Sequence, residues 1–105
     1  MANPRKKKGA DWERAVVKVF VEDLGIEAKR CRQYTNNHGL PDVEAGKWWI
    51  ECKRTKSRAP ITSAFQQACE DCPSDKVPLA ITKEDRKPAL VTMRLSDFIE
   101  LIREN

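Results

Sequence analysis

Apolar residues recur at helical spacing from Trp12 through Val16, Val19 and Phe20 to Leu24, and this stripe predicts a first helix over residues 10–24. Asp11 caps or loads its start and Gly25 ends it. Glu13, one turn before Val16 and Val17, falls at the edge of the buried face. Residues 26–34 predict a basic strand with Lys29, Arg30 and Arg32, followed over 35–40 by a polar loop that holds His38. Residues 41–53 predict a β-hairpin, with Ala45-Gly46 at the turn and β-prone Trp48, Trp49 and Ile50 on the return limb. A second helix is predicted over 62–72, opened by a capping box Ser63-x-x-Gln66 and striped by Phe65, Ala68, Cys69 and Cys72. Strands over 77–82 and 89–93 flank a charged turn. Ser96 then caps a last helix whose Phe98, Leu101 and Ile102 face the core. The order is α-β-β-β-α-β-β-α, with no internal repeat and no inter-domain linker.

The hairpin carries the candidate chemistry. A turn of two residues sets Glu44 opposite Lys47 and Asp42 opposite Trp49. Because strand side chains alternate, Asp42, Trp49, Glu51 and Lys53 then share one face, and Ile50 and Cys52 turn to the core. Two carboxylates and an ammonium are the minimum set for holding a hard divalent cation and a reacting water beside a phosphate. A loop of odd count without a bulge would put Asp42 on the wrong face. Surface strands often carry Asp, Glu and Lys toward solvent, so an ordinary polar face is the competing reading.

Composition narrows the classes. The chain has 105 residues, enough for one domain with one modest core. It carries 20 Lys and Arg against 16 Asp and Glu, a net charge of +4 that favours a polyanionic partner. Arg5, Lys6, Lys7 and Lys8 form a basic run, expected as a flexible arm over 1–8 ahead of a single domain over 9–105. No apolar run is long enough for a membrane span, and no hydrophobic stretch follows the basic N-terminus as in a secretory signal. With four cysteines and no such signal, reduced thiols in the cytoplasm are the expectation. Cys69-x-x-Cys72 could be half of a zinc site or a redox pair. No second pair stands at zinc-like spacing and both thiols fall on the helix's apolar stripe, so they read as buried structural cysteines.

Together these residues resemble a family. A helix with Gly9-x-x-x-Glu13-Arg14, then Pro41-Asp42, then Glu51-Cys52-Lys53, then a helix with Gln66 and Gln67, is similar to the PD-(D/E)xK nuclease superfamily. The opening motif and the closing Val91-Thr-Met-Arg-Leu-Ser-Asp-Phe98 resemble archaeal-type Holliday junction resolvases and small phage-encoded relatives. The resemblance spans about residues 9–102. It implies a restriction-endonuclease-like α/β fold, a mixed central sheet of about five strands flanked by helices, in agreement with the element order. It implies a metal-dependent endonuclease acting on branched DNA, with Mg2+ or a substituting Mn2+ held by Asp42, Glu51, the main-chain carbonyl of Cys52, and Glu13 directly or through water. Lys53 would position or activate the attacking water, and Gln66 or Gln67 would be auxiliary. Cys52 departs from the aliphatic residue usual there. Arg5–Lys8, Arg30, Arg32, His38, Arg54 and Lys56 are candidate phosphate contacts. Two symmetric incisions would need a homodimer. A nicking, flap or repair nuclease of the same fold and a DNA-binding module that does not cut are the alternatives.

Overall fold

The structure, a computed structural model, describes residues 4–31 and 39–104, with side chains from residue 7 onward. The elements follow the predicted order: α1 (Pro4–Leu24), β1 (Ala28–Arg30), β2 (Val43–Ala45), β3 (Trp48–Thr55), α2 (Ile61–Asp71), β4 (Val77–Glu84), β5 (Leu90–Thr92) and α3 (Leu95–Arg103). The five strands form one sheet in the order β1-β2-β3-β4-β5. β3 and β4 are parallel and joined by α2, while the other neighbours are antiparallel. Among the described residues no helix is long and apolar enough to cross a membrane.

Alternation divides the sheet into two faces. Val16 and Phe20 of α1 pack with Val43, Ala45, Ile50, Cys52 and Leu79 on one face. The Trp12 indole N–H, reaching the Ile81 carbonyl at 3.2 Å, fixes α1 against β4. Trp49, Glu51 and Lys53 therefore point the other way. There α2 packs on β3 and β4 through buried Ala64 and Ala68. Ala is small enough to let the helix lie close over Ala80, which is also fully buried.

α1 begins six residues before the expected start, so the backbone of the basic run 5–8, expected as part of a flexible arm, is helical. Its end is as read from the sequence. Gly25 adopts φ +65 and the Ile26 N–H returns to the Phe20 carbonyl at 3.0 Å, a Schellman closure that favours glycine. The hairpin turn is Gly46-Lys47, one residue later than expected, because Gly46 takes the positive φ (56) of the first turn position. The register consequently pairs Ala45 with Trp48 and Glu44 with Trp49. The turn keeps an even count, so the expected faces survive.

α2 has no capping box. Pro60 is its N-cap and Ser63 lies inside the helix, where its hydroxyl donates to the Pro60 carbonyl at 3.3 Å. Ala64 and Ala68 centre its buried side, leaving Phe65, Cys69 and Cys72 half-buried rather than enclosed. β4 runs two residues further than expected, to Glu84, following its long parallel ladder with β3.

The last helix departs most from expectation. Arg94, not Ser96, is its N-cap, and α3 has no buried residue. Leu95 is 72 % exposed, Phe98 48 % and Ile102 56 %. The stripe is amphipathic as the sequence indicates, but the chain's own core does not cover it.

Candidate active site

β2 and β3 bring the two hairpin carboxyls together. Continuing the register by one pair puts Asp42 opposite Glu51. The Asp42 N–H donates to the Ile50 carbonyl at 3.0 Å, and the Cys52 N–H donates to Asp42 Oδ2 at 2.9 Å. Asp42 is thus fixed to the residues on both sides of Glu51. Pro41 before it is fully buried, which anchors the approach to the strand.

Glu51 is only 6 % exposed. Burial, then the negative charge and hydrogen bond of Asp42, push its carboxyl up to about pH 8 as a titrating group, against a smaller downward pull from Lys53. Two carboxyls in hydrogen-bonding contact must share a proton or a cation. Cys52 faces the core as expected. Its thiol is raised out of the ordinary range by burial and then by Asp42, so it behaves as a small apolar side chain.

Glu13 lies half-buried on α1, and its carboxylate accepts from Arg30 Nε at 2.9 Å. Its pKa is raised, first by burial, with the Arg30 hydrogen bond opposing and Asp42 adding to the rise. Glu13 therefore senses Asp42 while its carboxylate is engaged by β1. Among the described residues no three of His, Cys, Asp and Glu converge closely enough to hold a metal by themselves. The chemistry still suits Mg2+, which takes one or two carboxylates and keeps several waters or substrate oxygens. Asp42 and Glu51, with the Cys52 carbonyl, would offer an all-oxygen edge of that kind, and the crowding of the two carboxyls is what a cation would relieve.

Gln66 and Gln67 are both exposed. At 100° per residue, Gln66 falls opposite the Ala64–Ala68 side, and Gln67 lies nearer its edge.

The candidate phosphate contacts separate into groups. Lys8 and Arg54 converge on Asp85, at 3.0 and 3.1 Å, so one carboxylate is shared between them and offsets part of their charge. With Lys7, Asp11, Trp12 and Ala15 they line a shallow groove. Arg30 is held by Glu13, and Lys56 is exposed. Arg32 and His38, and the side chains of Arg5 and Lys6, lie outside the described residues. A second groove, lined by Val21, Gly25, Ile26 and Gly46 at the turn end of the hairpin, contains none of the candidate site carboxyls; Glu44 on its wall pairs with Lys76 at 3.6 Å. Asp85 was not visible as a partner in the sequence, because the contacts it makes are 77 and 31 residues away.

No family model and no curated protein matches the chain. Among solved structures, it is similar to Hjc of Archaeoglobus fulgidus, a Holliday junction resolvase from an archaeal hyperthermophile. The TM-score is 0.63 at 19 % identity, over 81 % of this chain and 76 % of that one. The likeness establishes the fold as restriction-endonuclease-like α/β, a mixed five-stranded sheet flanked by helices.

Proposed function

We propose that this chain is a Mg2+-dependent endonuclease that hydrolyses phosphodiester bonds in branched DNA. The observation that carries the reading is the pairing of Asp42 with Glu51 on a hairpin that presents Lys53 two residues further along the same face. It occurs on a fold shared with a Holliday junction resolvase. A core has no use for a buried carboxyl in contact with a second, half-buried one, since repulsion and desolvation both oppose folding.

In this reading Asp42, Glu51 and the Cys52 carbonyl hold the cation. A bound Mg2+ would lower the pKa of its water and neutralise charge on the phosphate. Lys53 presents a fixed positive charge to the attacking water and to the phosphate as charge builds on it. Glu13 orients water at the edge of the site through its carboxylate, which Arg30 holds in place at 2.9 Å. Gln67, at the edge of α2, is better placed than Gln66 for an auxiliary contact. Lys7, Lys8, Arg54 and Lys56 track the strand through phosphate charge, without reading sequence.

Cutting both strands of a junction calls for two sites related by a two-fold axis. A second copy of the chain would cover the apolar residues that α3 and the edge strand β5 leave exposed: Leu95, Phe98 and Ile102, together with Leu90 and Val91.

The test is incubation of the protein with supercoiled plasmid and with a synthetic four-way junction, in Mg2+ and in EDTA. The reading expects junction cleavage in Mg2+ alone. Binding without cleavage on every branched, nicked and single-stranded substrate would leave a DNA-binding module instead.

A further inference from the structure

Among the described residues, the non-glycine positions with left-handed backbone are Arg58 (φ 52) and Arg86 (φ 65). Glycine and asparagine take this region at low cost, whereas an arginine there is strained. Such strain persists where the surrounding structure holds it, and it gathers at binding and catalytic sites. Both arginines stand at one end of the sheet. Arg58 follows β3 and Arg86 follows β4, each in the loop at the C-terminal end of one of the two parallel strands. The loops are tied to each other. The Asp85 N–H donates to the Thr55 carbonyl at 3.1 Å, and the Arg58 N–H donates to Glu84 Oε1 at 3.0 Å. The two carboxylates here are engaged: Glu84 also meets Lys87 at 3.6 Å, and Asp85 is shared by Lys8 and Arg54. Arg58 and Arg86 are both exposed, and neither guanidinium has an acidic partner among the described residues.

We propose that Arg58 and Arg86 form a two-point clamp on backbone phosphates of the DNA arm that leaves the active site. The contact Arg58 makes within the loops comes from its backbone N–H, which any residue but proline supplies. The turn at Arg86 is closed by the Lys87 N–H on the Glu84 carbonyl at 3.1 Å. Folding thus gives no reason for arginine at either position, and a polyanion does. A guanidinium stays charged and its fork matches phosphate oxygens. Strand β3 links the clamp to the chemistry. Thr55, the last residue of β3, lies roughly 7 Å beyond Lys53 at about 3.3 Å per residue. Phosphates recur every 3.4 Å or so of axis along each strand of a duplex. The clamp therefore meets the backbone two or more phosphates away from the one that Lys53 faces. The hydrogen bonds between the loops fix the spacing of the two arginines before DNA arrives, so less ordering is lost on binding. The contacts hold the arm without reading bases. The inference rests on the nuclease reading for the identity of the polyanion.

The experiment uses the full chain with Arg58→Asn and Arg86→Asn together, and a second chain with Arg58→Lys and Arg86→Lys. Asparagine accepts the left-handed backbone and removes the charge; lysine keeps the charge and the strain. Melting temperature is read without DNA. Affinity for a labelled four-way junction is read in EDTA across salt concentrations, and junction cleavage in Mg2+. The asparagine pair is expected to melt at or above wild type, because backbone strain has been relieved. Its junction affinity should fall tenfold or more at about 0.1 M salt, and the slope of log affinity against log salt should shrink by about two, one for each lost phosphate contact. The lysine pair should keep most of the wild-type slope. Unchanged affinity and slope in the asparagine pair would overturn the clamp. So would a marked fall in its melting temperature alongside lost binding, which would make the arginines supports of the loops. A wild type that cuts the junction beside an asparagine pair that binds equally well would sink the clamp alone. A wild type that binds DNA and never cuts it would sink the nuclease reading, and the salt slopes would still decide the clamp.

Discussion

The Cys52 N–H donates to Asp42 at 2.9 Å, so the carboxylate that would hold a cation is also the partner of a buried strand amide. Its two roles separate by substitution. Asp42→Asn keeps an acceptor oxygen for Cys52 and removes charge beside Glu51. Without metal it should melt close to wild type or above. Asp42→Ala leaves the amide unpartnered and should lose about 1–3 kcal/mol. Both should lose the rise in melting temperature that Mg2+ gives the wild type. Thermal melts with Mg2+ and with EDTA check this. A full Mg2+ shift in Asp42→Asn would remove Asp42 from the cation site.

Glu51 makes stability depend on pH. Its pKa is raised from 4.5 to about 8 in the fold, so between those values the unfolded chain has released a proton that the native state keeps. Stability in EDTA should therefore fall as pH rises through that window and level off above it. Glu51→Gln should flatten this slope. In Mg2+ the wild type should gain most at the alkaline end, where both carboxyls are ionised. Equal slopes for wild type and Glu51→Gln in EDTA would show that Glu51 is not the titrating group.

Asp85 sets how much positive charge the surface offers. It pairs with both Lys8 and Arg54, which depress its pKa. Asp85→Asn should tighten junction binding several-fold at low salt and steepen the salt dependence, since two cations become free for phosphates. Fluorescence titrations across salt concentrations measure it. Weaker binding in Asp85→Asn would mean that Asp85 organises the two cations rather than restraining them.

The exposed stripe of α3 predicts association. Phe98 and Ile102 are 48 % and 56 % exposed, so Phe98→Glu with Ile102→Glu should fold. The double variant should sediment as a monomer where the wild type sediments as a dimer. It should also lose paired incision of a junction before it loses single nicks. A monomeric wild type, with and without junction DNA, would contradict the assembly.

Much of this was legible in the sequence for identifiable reasons. Helical spacing from Trp12 to Leu24 and β-prone runs around Ile50 fix the element order. The faces of Asp42 and Glu51 followed from parity, which survived a one-residue displacement of the turn because the loop count stayed even. The register itself was not legible, since Ala45-Gly46 and Gly46-Lys47 are both acceptable turns until Gly46 is seen to take the positive φ. Partners of charged residues were not legible either. Arg30 finds Glu13 and Arg54 finds Asp85 only after the sheet forms. The periodicity of Leu95, Phe98 and Ile102 reports an amphipathic helix but not what lies against it.

The most direct test of the central claim is the rate at which Glu51→Gln cuts a four-way junction in Mg2+, with binding to the same junction measured in parallel. Glu51→Gln keeps shape and hydrogen-bonding capacity, so the fold should persist. The account predicts that cleavage falls by a factor of about a hundred or more while binding persists, because Glu51 acts on the cation and the phosphate contacts lie elsewhere. Lys53→Ala should likewise cut far more slowly while still binding. Cleavage by Glu51→Gln at the wild-type rate would contradict the account and place the active site elsewhere on the molecule.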